Sequence, residues 1–121
     1  DPDKRRIMRF AKDLSKHESQ MIGILSKIIN IRKNHSAFRY GDFNTLQADT
    51  NIYAYIRSDM NERVLIVLNK TPENVKVELS LPEFYKSKSA KDLMTNKSIT
   101  ISGSKLNSSI EGYGFRFYLI K

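Results

Sequence analysis

The chain has 121 residues, of which 40% are hydrophobic and 28% are charged, and its net charge is +8 at pH 7. This length fits one domain with a packed core, and the composition argues against wholesale disorder. The absence of cysteine excludes disulfides and thiolate zinc sites. No apolar run approaches the roughly 20 residues that a membrane helix needs. The first residue is Asp1, which is expected for a processed product or a piece of a longer protein.

Positive charge is concentrated at the start of the chain. Residues 1–40 contain ten Lys and Arg residues against four acidic residues, a net charge of +6, whereas the other 81 residues carry +2. Such a segment is compatible with nucleic acid, an acidic membrane or another protein surface as its partner. The bases do not share one helix face, and no aromatic platform motif lies beside them. These two features argue against nucleic acid, and neither nucleic acid nor a membrane is predicted as a partner.

Residues 15–34 have the pattern of one long helix. Ser15 and Glu18 have the spacing of a capping box, in which each side chain bonds the other residue's backbone amide. Apolar residues then recur at helical spacing from Met21 to Ile31. Because the apolar face is broad, the helix is expected to dock on a large surface. If it is undocked, this face is a candidate for self-association.

From Phe43 onward the hydrophobic period changes to two, which is the period of half-buried strands. Residues 64–68 are apolar on both faces, which predicts a central strand. The predicted strands are residues 52–57, 64–68, 75–81, 90–94, 99–102, 105–110 and 115–120. Short strands at hairpin spacing are typical of a sandwich. The sequence therefore predicts a mainly β fold: an antiparallel β-sandwich of seven or eight strands preceded by one long α-helix.

Catalytic and metal-binding motifs are absent from the sequence. It has no Gly-x-Ser-x-Gly elbow, no Walker loop and no Gly-x-Gly-x-x-Gly. His17 and His35 are 18 positions apart without a third ligand at metal-site spacing, so each is predicted to be a solvated or capping side chain. The densest charge cluster is residues 1–6. It is either a basic chain end or a loop whose carboxylate and guanidinium bind the hydroxyls of a polar ligand, and composition alone favours the first interpretation.

Four segments carry a resemblance to a known family. Residues 1–6, Asp-Pro-Asp-Lys-Arg-Arg, resemble the Asp-Pro-Asp-Asn-Arg-Arg segment late in the barrel of α-amylase-family enzymes, glycoside hydrolase family 13. Residues 28–43 are similar to that family's last barrel helix and its exit. Residues 54–57 with 63–69 resemble the first hairpin of its C-terminal sandwich, and residues 92–95 with 113–114 resemble its closing strands. The four segments follow the family's order and cover nearly the whole chain.

The resemblance implies a C-terminal segment of a larger enzyme. Residues 1–40 would be the end of the catalytic barrel, and residues 41–121 the C-terminal all-β sandwich domain. The implied parent is a retaining hydrolase of α-1,4-glucans such as starch and maltodextrin, α-amylase-like or neopullulanase-like. Its nucleophilic Asp, acid/base Glu and supporting Asp would lie before Asp1. Ca²⁺ sites, where the family has them, would also lie mostly in that missing part.

The segment alone is expected to be inactive. Retaining hydrolysis needs two carboxyl groups about 5–5.5 Å apart across the sugar ring. Asp1 and Asp3 share one terminal loop, and no other acid has a position that suggests pairing. No catalytic residue, cofactor or metal site is therefore predicted here, and the role implied is structural support of the barrel. Any α-glucan would bind through the parent catalytic domain.

Two candidate sugar contacts follow. The resemblance implies that Asp1 and Arg5 hold a glucose unit on the non-reducing side of the cleaved bond, although Lys4 replaces the usual Asn of that loop. Separately, Tyr53 and Tyr55 share one face of a strand, where they could stack on a pyranose ring; ordinary packing under the helix or against the barrel is favoured. The rival functions are a stand-alone carbohydrate-binding sandwich and a basic nucleic-acid-binding module.

Overall fold

The structure is a computed structural model that describes residues 16–121, apart from the side chains at positions 16, 17, 39, 40 and 84. The chain divides into two compact units, with the boundary between Ile31 and Arg32. The sugar contacts predicted at Asp1 and Arg5, and the cap predicted at Ser15, lie outside the described residues. The predicted division into residues 1–40 and 41–121 stays a prediction.

Helix α1 spans Lys16–Asn34, within one residue of the predicted range. Glu18 lies in its first turn, and Arg32 and Lys33 lie in its last, as the helix dipole favours. Five large apolar side chains of the helix are exposed: Met21, Ile22, Ile24, Leu25 and Ile29. Within residues 16–121, no helix combines the length and the apolar content that crossing a bilayer requires.

The remainder of the described chain is mainly β-structure. It begins with a four-residue helix, α2 (Ala37–Tyr40), and contains one 3₁₀ turn at Glu83–Tyr85. The strands are β1 (Asp42–Ala48), β2 (Ile52–Ser58), β3 (Arg63–Asn69), β4 (Val75–Ser80), β5 (Ser89–Asp92), β6 (Ser98–Thr100), β7 (Lys105–Ile110) and β8 (Phe115–Ile120). These eight strands, preceded by α1, confirm the predicted fold class.

The strands form two antiparallel sheets. The larger sheet has the order β1-β2-β3-β8-β5-β6, and the smaller sheet consists of β4 and β7. The last strand, β8, therefore lies inside the large sheet, between β3 and β5. The prediction that β3 is central is confirmed, because Val64, Leu65, Ile66 and Val67 are all buried. Apolar residues on both faces of a strand are required where both faces are covered.

The main core lies between the two sheets. Alternate residues of β2, beginning with Ile52, point into it, and their partners across the core come from β4 and β7. The buried members of this cluster are Ile52, Ala54, Ile56, Leu65, Val67, Val77, Leu79, Leu81, Ala90, Ile101, Leu106, Ile110, Tyr118 and Ile120. The period-two pattern of the sequence is thus the pattern of burial, and it fixes which face of each strand is left outside.

Two polar groups inside this core join distant parts of the fold. The hydroxyl of Tyr118 on β8 bonds that of Ser108 on β7 at 2.6 Å, which links the two sheets through the core. Burial raises the pKa of Tyr118, because the charged phenolate is disfavoured away from water. The second group is Asn69, only 3% exposed, whose side chain bonds the backbone of two separate turns.

Candidate functional site

The outer side of the large sheet carries a row of apolar and aromatic side chains. Tyr53 and Tyr55 of β2 pair with Leu68 and Ile66 of β3, which pair in turn with Phe115 and Phe117 of β8. Paired residues point to the same side, so all of them lie opposite the main core. We refer to the incompletely buried members as the aromatic face: Phe43, Tyr53, Tyr55, Leu68, Phe115 and Phe117.

The rings of the aromatic face contact one another. Phe43 stacks on Tyr55 with the centroids 4.5 Å apart and an interplanar angle of 21°. Tyr53 lies 5.1 Å from Tyr55, and Phe115 lies 5.0 Å from Phe117. Burial raises the pKa of Tyr55, and the neighbouring Tyr53 adds to that shift. The structure therefore brings together the two tyrosines predicted as a sugar-stacking pair and adds three phenylalanines to them.

The aromatic face is covered unevenly. At one end, Phe38 of α2 is buried and packs edge-on against Phe117, with centroids 5.4 Å apart. Toward the sheet edge and the other end, Phe43 is 56% exposed and Leu68 is 36% exposed. An exposed apolar patch rimmed by polar residues is typical of an interaction surface.

Helix α2 is held on the sheet by Arg57. Its Nη2 donates to the carbonyl of Gly41 at 3.1 Å, and its Nη1 donates to the carbonyl of Phe38. Its Nε is buried without a hydrogen-bond partner. Within residues 16–121, no carboxylate lies within ion-pair distance of this guanidinium. Arg57 is thus a half-buried cation that bonds two carbonyl oxygens and has no opposite charge beside it among the described residues.

The β2–β3 turn holds the segment between the two helices. Nδ1 of His35 lies 2.8 Å from Oε2 of Glu62, and the amide of Ala37 donates to Oε1 of Glu62 at 3.3 Å. The hydroxyl of Ser36 donates to Asp59, and this bond is the largest cause of the lowered pKa of Asp59. His35 was predicted to be solvated or capping. The structure instead shows it half-buried on Glu62, because the turn folds back over the exit of α1.

Other carboxylates of the described chain also have structural partners. Asp49 accepts from the amides of Asn51 and Ile52 within its own turn, and the Ile52 amide is the largest cause of its lowered pKa. Asp92 accepts from the amides of the turn that follows it. Each of these groups has the role of a turn-stabilising acceptor.

Glu111 is paired with Arg116 of β8. Its Oε2 lies 2.8 Å from Nη2 of Arg116, which lowers the pKa of Glu111. The same Nη2 donates to the carbonyl of Ser109 on β7 at 3.0 Å, so the guanidinium also bridges the two sheets. Within residues 16–121, no group of three or more His, Asp or Glu side chains is placed to hold a metal ion.

An open depression lies away from the aromatic face. It has a volume of about 470 Å³ and is formed by β4 and β7, where Lys76 and Glu78 face Asn107 and Ser109. Aromatic side chains are not among its lining residues. The depression is open and has both polar and apolar atoms in its lining, and among its lining residues there is no ring on which a sugar could stack.

Residues 43–117 match the family model of the maltogenic amylase C-terminal domain. The chain belongs to this family. The matched range begins in β1 and ends in β8, so it contains the sandwich almost completely. The relation to α-amylase-family enzymes of glycoside hydrolase family 13 that the sequence resemblance implied is thereby confirmed.

Curated relatives agree with this assignment. A cyclomaltodextrinase of Geobacillus thermopakistaniensis (strain MAS1) is 29% identical over the whole chain, which covers 20% of that protein. A cyclomaltodextrinase of Thermoanaerobacter pseudethanolicus (strain ATCC 33223 / 39E) is 27% identical over 88% of the chain, which covers 17% of that protein. The chain therefore spans about a fifth of the length of the curated relatives that it matches.

Solved structures show the same fold. The structure of an AmyP variant in complex with maltotriose superimposes with a TM-score of 0.83 at 18% identity, over 89% of this chain and 22% of that chain. The acarbose complex of an α-amylase from Geobacillus thermoleovorans has a TM-score of 0.74 at 22% identity, over 83% of this chain and 22% of that chain. At these identities the likeness concerns the fold.

Sequence reasoning identified only part of the aromatic face. Tyr53 and Tyr55 stood out because they alternate with the core residues of β2. Phe115 and Phe117 were predicted only as part of the strand 115–120, and Phe43 was not predicted as part of a site. Phe115 and Phe117 have the period-two spacing of side chains on one face of β8. Only the β3–β8 register, however, places them on the same side of the sheet as the tyrosines. Phe43 lies on the exposed edge strand β1, where the apolar pattern is weak.

Proposed function

We propose that the parent of this chain hydrolyses α-1,4-linked glucans with retention of anomeric configuration, and that the chain supports its fold without performing the chemistry. The observation that carries the proposal is the combination of the C-terminal domain family with a match to only 20% of a cyclomaltodextrinase. The remaining four-fifths of such a protein would hold the catalytic carboxylates, the α-glucan site and any Ca²⁺ site.

The hydrogen bonds of the described carboxylates support the proposal that the segment is inactive. Retaining hydrolysis needs one carboxylate free to attack and one carboxylic acid free to give a proton. Asp49, Asp59 and Asp92 accept hydrogen bonds in their own turns, and Glu62 and Glu111 bond His35 and Arg116. Hydrogen bonds to the ionised form lower the pKa of Asp49, Asp59 and Glu111, which makes these three groups unsuitable as general acids at neutral pH.

The proposed sugar contacts belong to the parent as well. Asp1 and Arg5 would hold a glucose unit only where the preceding part of the parent orders their loop. Tyr53 and Tyr55 could stack on a pyranose, yet one face of the Tyr55 ring is occupied by Phe43 and the cation beside it is bound to carbonyl oxygens. A sugar site combines stacking with free polar groups. Structural packing is therefore the function that we propose for these tyrosines.

The test compares the 121-residue chain with the parent purified from its natural source. We expect the parent to release reducing sugar from maltodextrin and cyclodextrin, with the α-anomer appearing first by NMR, and the isolated chain to release none. Hydrolysis by the isolated chain would contradict the inactive role. A parent that gives the β-anomer first would contradict retention, and a parent without activity on α-glucans would contradict the whole proposal.

A further inference from the structure

The β7–β8 turn presents an aromatic ring that the fold uses little. Tyr113 of this turn is 71% exposed. Its amide donates to the carbonyl of Thr71 at 2.7 Å, whereas its ring and its hydroxyl have no hydrogen bond or ring contact within residues 16–121. The packing of the sandwich therefore does not explain why a large aromatic residue stands at this position.

The backbone that carries this ring has an unusual conformation. The φ angle of Tyr113 is +54°, in the left-handed region that bulky side chains rarely adopt. Its neighbours enforce this conformation: Thr71 holds the amide, and Gly112 packs so closely on the next turn that a Cβ there would lie 2.1 Å from the carbonyl oxygen of Pro72. A strained residue that the surrounding structure enforces is typical of a functional site.

The β7–β8 turn is also held rigidly against the β3–β4 turn. The amide of Gly112 donates to Oδ1 of Asn74 at 3.2 Å. The buried side chain of Asn69 bonds the carbonyls of Glu73 and Glu111, one in each turn. A ring that is carried by two cross-linked turns loses little conformational entropy when it binds a ligand.

Free polar groups lie in the turn beside the ring. Glu73 and Asn74 are both exposed. The carboxylate of Glu73 has no hydrogen bond or ion pair within the described chain, and the Nδ2 group of Asn74 has no recorded acceptor there. Within residues 70–74 and 111–114, Tyr113 is the one aromatic residue. The two turns thus present one ring together with a free acceptor and a free donor.

This combination matches a sugar better than a protein. A pyranose has apolar faces that stack on an aromatic ring and hydroxyl groups at its edge that need donors and acceptors. A stable protein interface buries roughly 800 Å² on each partner around several apolar side chains, which one ring among polar residues does not provide.

We propose that these two turns form a non-catalytic binding site for an α-glucan chain. One glucose ring stacks on Tyr113, its hydroxyls donate to the carboxylate of Glu73, and Nδ2 of Asn74 donates to a hydroxyl oxygen. This inference rests on the proposed function, which supplies the class of sugar. It adds a site that is separate from every sugar contact predicted from the sequence.

The experiment is an NMR titration of the isotope-labelled 121-residue chain with maltoheptaose. We expect saturable shifts of the amides of residues 71–74 and 111–114 at millimolar sugar. Tyr113→Gly removes the ring and suits a left-handed backbone, so it should keep the fold and bind at least about tenfold more weakly. Tyr113→Phe is the matched control, because it keeps the ring and should bind within about fivefold of the native chain.

A second pair of variants tests the polar contact. Glu73→Ala should weaken binding by roughly fivefold, because the carboxylate accepts from the sugar. Glu78→Ala is its matched control, since Glu78 is an exposed acid of β4 outside the two turns and should leave the affinity unchanged. In each variant, unchanged amide shifts far from the substitution confirm that the sandwich is folded.

Several results would overturn the proposal. They are the absence of saturable shifts, unchanged affinity in Tyr113→Gly or in Glu73→Ala, and sugar-induced shifts centred on Tyr53 and Tyr55. Concentration-dependent shifts of residues 111–114 without sugar would instead identify a contact between copies and would also overturn it. Failure of the proposed function is seen separately, as absence of α-glucan hydrolysis by the parent, because the titration requires no catalysis.

Discussion

Replacement of Asn69 should destabilise the sandwich far more than its size suggests. Its Nδ2 donates to the carbonyls of Glu73 at 2.7 Å and of Glu111 at 2.9 Å, with a longer contact to that of Ile110 at 3.3 Å. Its Oδ1 accepts from the amide of Thr71 at 3.0 Å and from the hydroxyl of the same residue at 2.8 Å. One side chain thus forms hydrogen bonds with backbone groups of both the β3–β4 turn and the β7–β8 turn.

The magnitude follows from these contacts. In Asn69→Ala, about four hydrogen bonds are lost in a site that is 3% exposed, at about 1 kcal/mol each before relaxation. Because water can reach part of the two turns, we expect a loss of about 3 kcal/mol in the free energy of unfolding. For a domain of this size the Tm should fall by roughly 10 °C. Urea unfolding followed by circular dichroism measures the first quantity, and calorimetry measures the second.

Asn69→Asp separates hydrogen bonding from shape. The aspartate has nearly the same volume, but its ionised carboxylate cannot donate and would face carbonyl oxygens. At pH 7 this variant should therefore be at least as unstable as Asn69→Ala. Burial raises the pKa of the introduced carboxyl in the folded state, so its penalty is smallest below the unfolded pKa of about 4 and grows as the pH rises. An aspartate variant that is more stable than the alanine variant at pH 7, or a loss below about 1 kcal/mol in Asn69→Ala, would refute the reasoning.

Three further predictions concern charge and titration. Because burial raises the pKa of Tyr118, the neutral side chain's contribution to stability is present below the unfolded pKa of about 10 and is lost as the pH rises through the higher pKa of the folded state. In urea titrations, Tyr118→Phe should therefore lose less stability than the native chain when the pH is raised from neutral to alkaline. Ser36→Ala should raise the pKa of Asp59 in an NMR titration, and an unchanged pKa would contradict the hydrogen bond from Ser36. Arg116→Lys should cost about 1 kcal/mol, because lysine cannot bond Glu111 and the neighbouring carbonyls together; a neutral result in urea unfolding would contradict the bridge between the sheets.

The strands were predictable where burial alternates. The period-two pattern of β2 and β4 matches their alternating exposure, and the continuous apolar run of β3 matches its central position. Strand β1 was harder to predict from the sequence, because it is an exposed edge strand with a register shift between Thr45 and Gln47. A strand with few buried side chains has little hydrophobic pattern to read.

The candidate site was predictable only in part, because it depends on pairing between distant strands. Helix α2 is four residues long, too short for a helical period, and its anchors Phe38 and Arg57 are 19 positions apart. Asn69 has the appearance of a strand-terminating residue, and its role becomes clear only when two turns separated by about 40 positions meet around it. The local hydrophobic pattern identifies which side chains share one face of a strand. The pairing register between distant strands decides which of these faces form one surface.

The position of β8 has a consequence for how the sandwich is made. Val64 pairs with Leu119, so β3 acquires this neighbour only after β4, β5, β6 and β7 have been synthesised. Until then the nascent chain carries β3 as an open and strongly apolar edge, a surface that invites pairing with other chains. Pairs so distant in sequence also form slowly. The interval between synthesis of β3 and arrival of β8 is therefore the period in which this domain is most exposed to aggregation and most in need of a chaperone.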